Sequence, residues 1–184
     1  MTELPYWAKH ARSNWKYYGQ KRPSFAIKPK KGQESVWDYP RPPKIDYDHR
    51  HIIVKVGDLI IADTTNAVRI LETASPPTFY LPPSDINFEF LKPSAGESRC
   101  EWKGVAKYWK VESENHQIDH IAWSYPNPFE DYKEIREYLA FYPAKADCFV
   151  DDERVRPQPG GFYGGWITNE IVGPVKGEAP NTYL

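Results

Sequence analysis

The sequence predicts a mainly β domain, a small twisted antiparallel barrel or a tent-like arrangement of sheets, with an N-terminal helix and one short helix near residues 128–136. Three observations predict it. The 184 residues include 28 aromatics (7 Trp, 13 Tyr and 8 Phe) at a net charge of -1. That supplies buriable area without the net charge that keeps chains unfolded. Proline numbers 18, about twice its usual share of roughly 5%, which works against long helices. Short runs of β-branched and aromatic residues recur between Gly, Asp and Pro turn signals, the pattern of strands.

The elements follow in order. Trp7, Ala11, Trp15 and Tyr18 recur at spacings of four, four and three, one face of a helix over residues 5–18. Pro5 suits its first turn and Gly19 its end. Residues 20–44 hold six of the prolines and glycines among many lysines and read as an extended connector. Residues 52–56 and 59–62 read as a hairpin about Gly57-Asp58. Residues 68–71, rich in β-branched side chains, form a strand. Residues 79–81 form another, stopped by Pro82-Pro83. A long strand over 104–111 pairs with 117–123 through a turn at Ser113-Glu114-Asn115. Residues 138–142 return to strand. Phe149-Val150 and Arg154-Val155 flank a last turn at Asp151-Asp152. The short helix near 128–136 carries acidic residues in its first turn, where the helix dipole favours them.

Charge divides the chain. Residues 1–50 carry 11 basic and five acidic side chains; residues 51–184 carry 13 and 20. The expected organisation is a basic helix and connector over 1–36, one β-rich domain over 37–156, and a glycine- and aromatic-rich tail over 157–184 packed on the body. A basic arm complements its own acidic body, which itself repels phosphate, so nucleic acid is not the expected partner. No run reaches the ~18 apolar residues of a membrane span. The N-terminus lacks the apolar core of a signal peptide. The two cysteines, Cys100 and Cys148, make no disulfide framework. A cytoplasmic protein is the expectation. The glycines of 160–165 match neither a dinucleotide fingerprint nor a phosphate-binding loop.

Chemistry has three candidate seats. Segment 63–73 places Asp63, Arg69, Glu72 and Thr73 among apolar neighbours, and a charge there needs water, a partner or a ligand. Arg69 and Glu72 are either ion-pair partners or an anion holder and a base. In a strand they point to opposite faces; in a helical turn they share one. Segment 100–104 sets Cys100 near Lys103. Cys100 is either a small buried residue or a nucleophile, although a strand would set the two on opposite faces. Trp123, Tyr125, Tyr138, Phe141 and Tyr142 are either core or the wall of a pocket for a planar ligand. The five histidines form two loose pairs, too few for a zinc site, so no metal or cofactor is expected.

Several motifs stand in a familiar order. These are Tyr39-Pro40-Arg41-Pro42-Pro43, the run Ala62 to Thr73, Pro76 to Pro82, Cys100 to Trp109, Ala122 to Pro126, and Ala140 to Pro143. Over residues 37–156 the chain resembles the bacterial domain-of-unknown-function family 427, sometimes labelled nucleotidyltransferase-like. The resemblance implies a mainly β domain. It places Arg69, Glu72, Thr73, Tyr80, Cys100, Lys103, Trp123 and Tyr125 in signature segments. The expectation is an aromatic-walled pocket for a small anionic or planar ligand. Arg69, Thr73, Tyr80, Lys103, Trp123 and Tyr125 would bind it, and Glu72, Asp63 and Cys100 are the candidate catalytic groups. Two alternatives stand beside it: an enzyme on that pocket, nucleotidyl transfer included, and an interaction module or homo-oligomer using the arm and tail.

Overall fold

A computed structural model describes residues 3–178. The outer ends of the predicted arm and tail, residues 1–2 and 179–184, lie outside the described residues. The chain opens with α1 (Tyr6–Ser13) and β1 (Glu34–Ser35), then β2 (Lys44–Asp48), β3 (Ile52–Val56), β4 (Leu59–Thr64), β5 (Ala67–Leu71) and β6 (Thr78–Tyr80). A long meander follows in β7 (Leu91–Cys100), β8 (Gly104–Glu112) and β9 (Gln117–Ser124), and a 3-10 helix over Glu130–Ile135 leads to β10 (Leu139–Phe141). The chain closes through β11 (Asp147–Val150), β12 (Glu153–Arg154), β13 (Arg156–Pro157), β14 (Trp166–Ile167) and β15 (Ile171–Val172).

Three antiparallel sheets carry the fold, in the orders β2-β5-β6, β10-β9-β8-β7 and β12-β11-β3-β4. Leu81 and Leu139 exchange backbone hydrogen bonds of 2.8 and 3.0 Å, which join the first two sheets edge to edge. None of the sheets among the described residues closes on itself, so the tent-like alternative describes the fold and the barrel does not. Around that junction the surface is buried on both faces, and strand alternation sorts its side chains. Phe79, Leu81, Ile121, Leu139 and Phe141 face a core shared with Ile52, Val54 and Cys148 of the third sheet. Tyr80, Trp123, Tyr125 and Ala140 face the opposite way, onto a second core with Trp102, Tyr132 and Ile135. Each fully buried large apolar side chain contributes about 1.5–3 kcal/mol.

The predicted hairpin stands as β3 and β4, turning at Gly57 with φ +57°. The short acidic helix stands as the 3-10 turn with Glu130 and Asp131 at its start. Four expectations change. The helix ends at Ser13 rather than 18, because Trp15 leaves the helical path to bond Glu101, its indole Nε1 donating to Oε1 at 2.7 Å. The sequence pattern does not mark strand β7. Its Pro93, Gly96 and polar side chains suit an edge strand, and a register shift between Ser94 and Glu97 interrupts its ladder. The connector is not merely extended: Val36, Trp37 and Tyr39 build a third core with Leu71, Ala74, Ile171 and Val175. The glycine-rich tail holds regular pieces too, with β15 pairing parallel to β1 and β14 pairing antiparallel to β13. Trp166 is fully buried, stacks on Phe79 at 4.7 Å and donates its indole N–H to the Phe141 carbonyl at 3.0 Å.

Candidate functional site

A cleft of about 240 Å³ opens over the second core. Its floor is built from three places in the sheets. Tyr80 ends β6, Trp123 and Tyr125 come from β9 and the residue just after it, and Cys100 and Lys103 come from the β7–β8 turn. The edge-to-edge junction at Leu81 and Leu139 is what brings β6 alongside β10 and β9. Its rim comes from the ends of the chain: Trp15 from the arm, and Tyr163, Gly164 and Lys176 from the tail.

Lys103 defines the floor. It is only 8% exposed, and among the described residues its ammonium has no hydrogen-bond acceptor and no salt-bridge partner. Burial alone would pull its pKa down. The acidic groups around it, Cys100, Tyr80, Glu72 and Tyr132, outweigh that and raise it, so Lys103 is a cation. Cys100 and Lys103 meet because residues 101–103 are a turn, not strand: Cys100 pairs with Gly104 across the β7–β8 ladder. This corrects the expectation that the two lie on opposite faces. Gly104, at φ +108°, permits that turn.

The phenols complete the floor. Trp123 donates its indole N–H to the Tyr80 hydroxyl at 3.3 Å. Burial pushes the Tyr80 phenol up to about 12, against the opposing pull of Lys103. Burial raises Tyr125 well above its ordinary value. Both are therefore neutral hydroxyls at physiological pH, able to donate.

Glu72 lines the cleft but is committed elsewhere. Arg41, wholly buried, lies 3.2 Å from its carboxylate. The same guanidinium donates to the carbonyls of Tyr17 and Thr73, each at 2.8 Å, and stacks 3.8 Å from the Trp15 ring centre. Burial lowers the Arg41 pKa and Glu72 works against it. Lys176 sits over Trp15 at 4.5 Å and over Tyr163 at 4.7 Å, so one ammonium ties arm to tail at the rim. Each such contact contributes about 0.5–1 kcal/mol where exposed.

Three sequence-predicted residues lie away from the cleft. Arg69 faces Asp46, its register partner on β2, at 2.6 Å, with Glu34 at 3.3 Å and Asp48 at 3.4 Å. Arg69 and Glu72 are therefore not partners of each other; along the strand they project to opposite faces, each to its own ion pair. Thr73 is buried and donates its hydroxyl to the Tyr39 carbonyl at 2.6 Å. Asp63 is exposed on β4 and lies 2.7 Å from His51. Glu72, Tyr80, Cys100, Lys103, Trp123 and Tyr125 do converge. Tyr142, expected as either core or pocket wall, lines the cleft as well. The sequence pattern does not mark Trp15, Arg41, Tyr163 and Lys176 as site residues, although Arg41 stands inside a quoted motif. The signal available for the rest was the aromatic content of arm and tail.

A comparison with protein families matches residues 44–152 to the family described as Domain of unknown function (DUF427) and named NTP_transf_9. The chain belongs to this family. The match takes in every floor residue of the cleft and leaves out Trp15, Arg41, Tyr163 and Lys176, so the rim is built outside the family core. No curated protein matches the chain. No helix among the described residues is long and apolar enough to cross a membrane.

Proposed function

We propose that the cleft binds a small anionic, planar ligand, with Lys103 as its charge partner. The observation that carries this reading is Lys103 at the floor of an aromatic-lined opening, a nearly buried residue whose ammonium has no hydrogen-bond acceptor or salt-bridge partner among the described residues. A nearly buried charge without a hydrogen-bonded counter-ion is costly, and an anion delivered to it recovers part of that cost. Trp123, Tyr142 and Tyr163 line the same opening and offer ring faces and edges to a planar body. Arg69 and Thr73, whose polar groups are spent inside the fold, take no part.

Nucleotidyl transfer, the reaction in the family's name, calls for clustered carboxylates and a phosphate cradle. Glu72 and Glu101 are the carboxylates lining the cleft. Glu72 is held by Arg41 and Glu101 by Trp15. That chemistry therefore gains no support from the site, and binding is the reading we favour.

The test is a thermal-shift series with small carboxylates, phosphates and nucleotides, with and without Mg²⁺, on wild type and Lys103→Met. A ligand at 100 times its dissociation constant adds about 2.7 kcal/mol to stability, several degrees for a chain of this size. A shift in wild type that Lys103→Met loses is the expected result. An equal shift in both proteins, or no shift with any anion, overturns the reading.

A further inference from the structure

We infer that Cys100 is a nucleophile that accepts an acyl group from an activated aromatic acyl donor, with Lys103 and the hydroxyls of Tyr80 and Tyr125 holding the oxyanion formed on the way. This goes beyond the binding reading above, which leaves the thiol in the cleft without a task.

The neighbours of the sulfur carry the argument. Cys100 is partly exposed and lines the cleft. It pairs with Gly104 across the β7–β8 ladder, and the turn between them brings Lys103 into the same lining. Lys103 is 8% exposed, and its ammonium has no hydrogen-bond acceptor or salt-bridge partner among the described residues. Burial pulls that ammonium down and Cys100 is the foremost of the groups that raise it, so cation and thiol lie close together. Burial raises the Tyr125 phenol and Cys100 adds to the rise, which puts a hydroxyl beside the same sulfur. Tyr80 stands next to Tyr125, ring centres 6.3 Å apart, and its hydroxyl accepts from the Trp123 indole. The other charges of the lining are engaged. Glu72 faces Arg41 at 3.2 Å, and Glu101 accepts from the Trp15 indole at 2.7 Å. Arg99 lies over the Trp7 ring, and Lys176 over Trp15 and Tyr163. No histidine lines the cleft.

The donors select the electrophile. A cation and hydroxyls fixed around a nucleophile act most where negative charge develops on oxygen during the reaction. Attack on a carbonyl carbon develops it; displacement at a saturated carbon does not. Disulfide chemistry has no second thiol to use, because Cys148 is 1% exposed and sits in the first core, on the other face of the joined sheets. In the step, Sγ bonds to the acyl carbon and the carbonyl π pair moves onto oxygen, where the ammonium and the hydroxyls meet it. The carbonyl then re-forms, and the bond to the leaving group breaks with its electron pair. The thiol proton ends on the leaving group or in solvent, and the acyl group stays on Cys100 as a thioester. With no free base in the lining, the leaving group must depart as a stable anion, so the donor is an activated one, a thioester or an aryl ester. The rings of Trp123, Tyr142 and Tyr163 around the same opening suit an aromatic acyl group.

Nitrophenolate release and mass spectrometry test this on the full chain with p-nitrophenyl benzoate, and N-acetylcysteine serves as the reference thiol. One benzoyl group is expected on Cys100, at a rate at least roughly 10-fold above the reference. Cys100→Ser should lose it. Tyr80→Phe keeps the ring packing and removes one donor. It should slow benzoylation by about 10-fold or more and leave alkylation of Cys100 by iodoacetamide, which builds no charge on oxygen, unchanged. Lys103→Met, its fold checked by circular dichroism, should slow both reactions. A benzoylation rate no greater than the reference, or benzoyl groups on lysines rather than on Cys100, overturns the proposal. Equal slowing of both reactions in Tyr80→Phe overturns the oxyanion role of its hydroxyl, and benzoylation unchanged in both variants overturns the assignment of Lys103 as well. A larger advantage over the reference with p-nitrophenyl acetate overturns the aromatic class. Cys100→Ser keeps Lys103, so an anion-induced thermal shift retained in that variant leaves the binding reading standing where the acyl transfer fails.

Discussion

Replacing Arg69 with methionine removes the guanidinium that joins Glu34, Asp46 and Asp48. Breaking a buried ion pair costs about 3–5 kcal/mol, chiefly because the abandoned charges stay buried. Here the carboxylates keep other partners. Asp48 retains Arg50, which bonds it at 2.5 Å; Asp46 retains Lys44 at 3.1 Å; Glu34 accepts from the Tyr39 hydroxyl at 2.6 Å. The cost therefore falls at the low end, about 3 kcal/mol. For a domain of this size that lowers Tm by about 6–12 °C. The pH dependence has a sign. Burial pushes the Asp46 carboxyl up, the hydrogen bonds from Arg69 and Lys44 pull it further down, and it ends below the ordinary value. A carboxyl lowered in the fold stabilises it above the unfolded value, near about 3.9, and that contribution is lost as pH falls through the folded pKa. The difference between wild type and Arg69→Met should be full at pH 7 and shrink below about pH 4. Urea unfolding followed by tryptophan fluorescence at pH 7 and pH 3.5 measures it. A loss below about 1 kcal/mol at pH 7, joined to loss of ligand binding, would refute the argument and return Arg69 to the site.

Three further outcomes follow from the cleft and its rim. At Gly164 an added Cβ would stand 2.1 Å from the Trp123 ring. Gly164→Ala should cost about 1–3 kcal/mol, the usual penalty of overpacking, and alter tryptophan fluorescence. Lys176→Ala removes the ammonium over Trp15 and Tyr163; it should cost about 1 kcal/mol and speed proteolysis of the arm. Cys148 is buried, and burial pushes its thiol up, whereas Cys100 is partly exposed in the cleft. A maleimide should therefore modify Cys100 alone in the native protein and both cysteines in urea, as mass spectrometry of the digested protein will show.

The β-hairpin about Gly57, the strand over Ala67–Leu71 and the 3-10 turn at Glu130 were legible because each rests on local rules. Those rules are alternation, a turn glycine and acidic residues at a helix start. Strand β7 was not legible. Its side chains are mostly exposed, so no apolar period marks it, and it exists because β8 offers it an edge. The site divides in the same way. Tyr80, Cys100, Lys103, Trp123 and Tyr125 were found because they stand in the motifs that carry the family resemblance. Arg69 and Thr73 stand in those motifs as well, yet their polar groups are consumed by Asp46 and by the Tyr39 carbonyl. Sequence shows that a buried charge needs a partner, and does not show which one it meets.

By itself the sequence determined the mainly β class, the family, the aromatic cores and most turn positions, because these depend on residue type and near-neighbour spacing. Only the tertiary structure decided which polar groups face the cleft and which are spent inside the fold. It set Lys103 beside Cys100 through a tight turn, gave Glu72 to Arg41, and laid arm and tail across the rim. Each of those outcomes depends on contacts between residues distant along the chain or on the exact phase of a turn, and neither is written in local spacing.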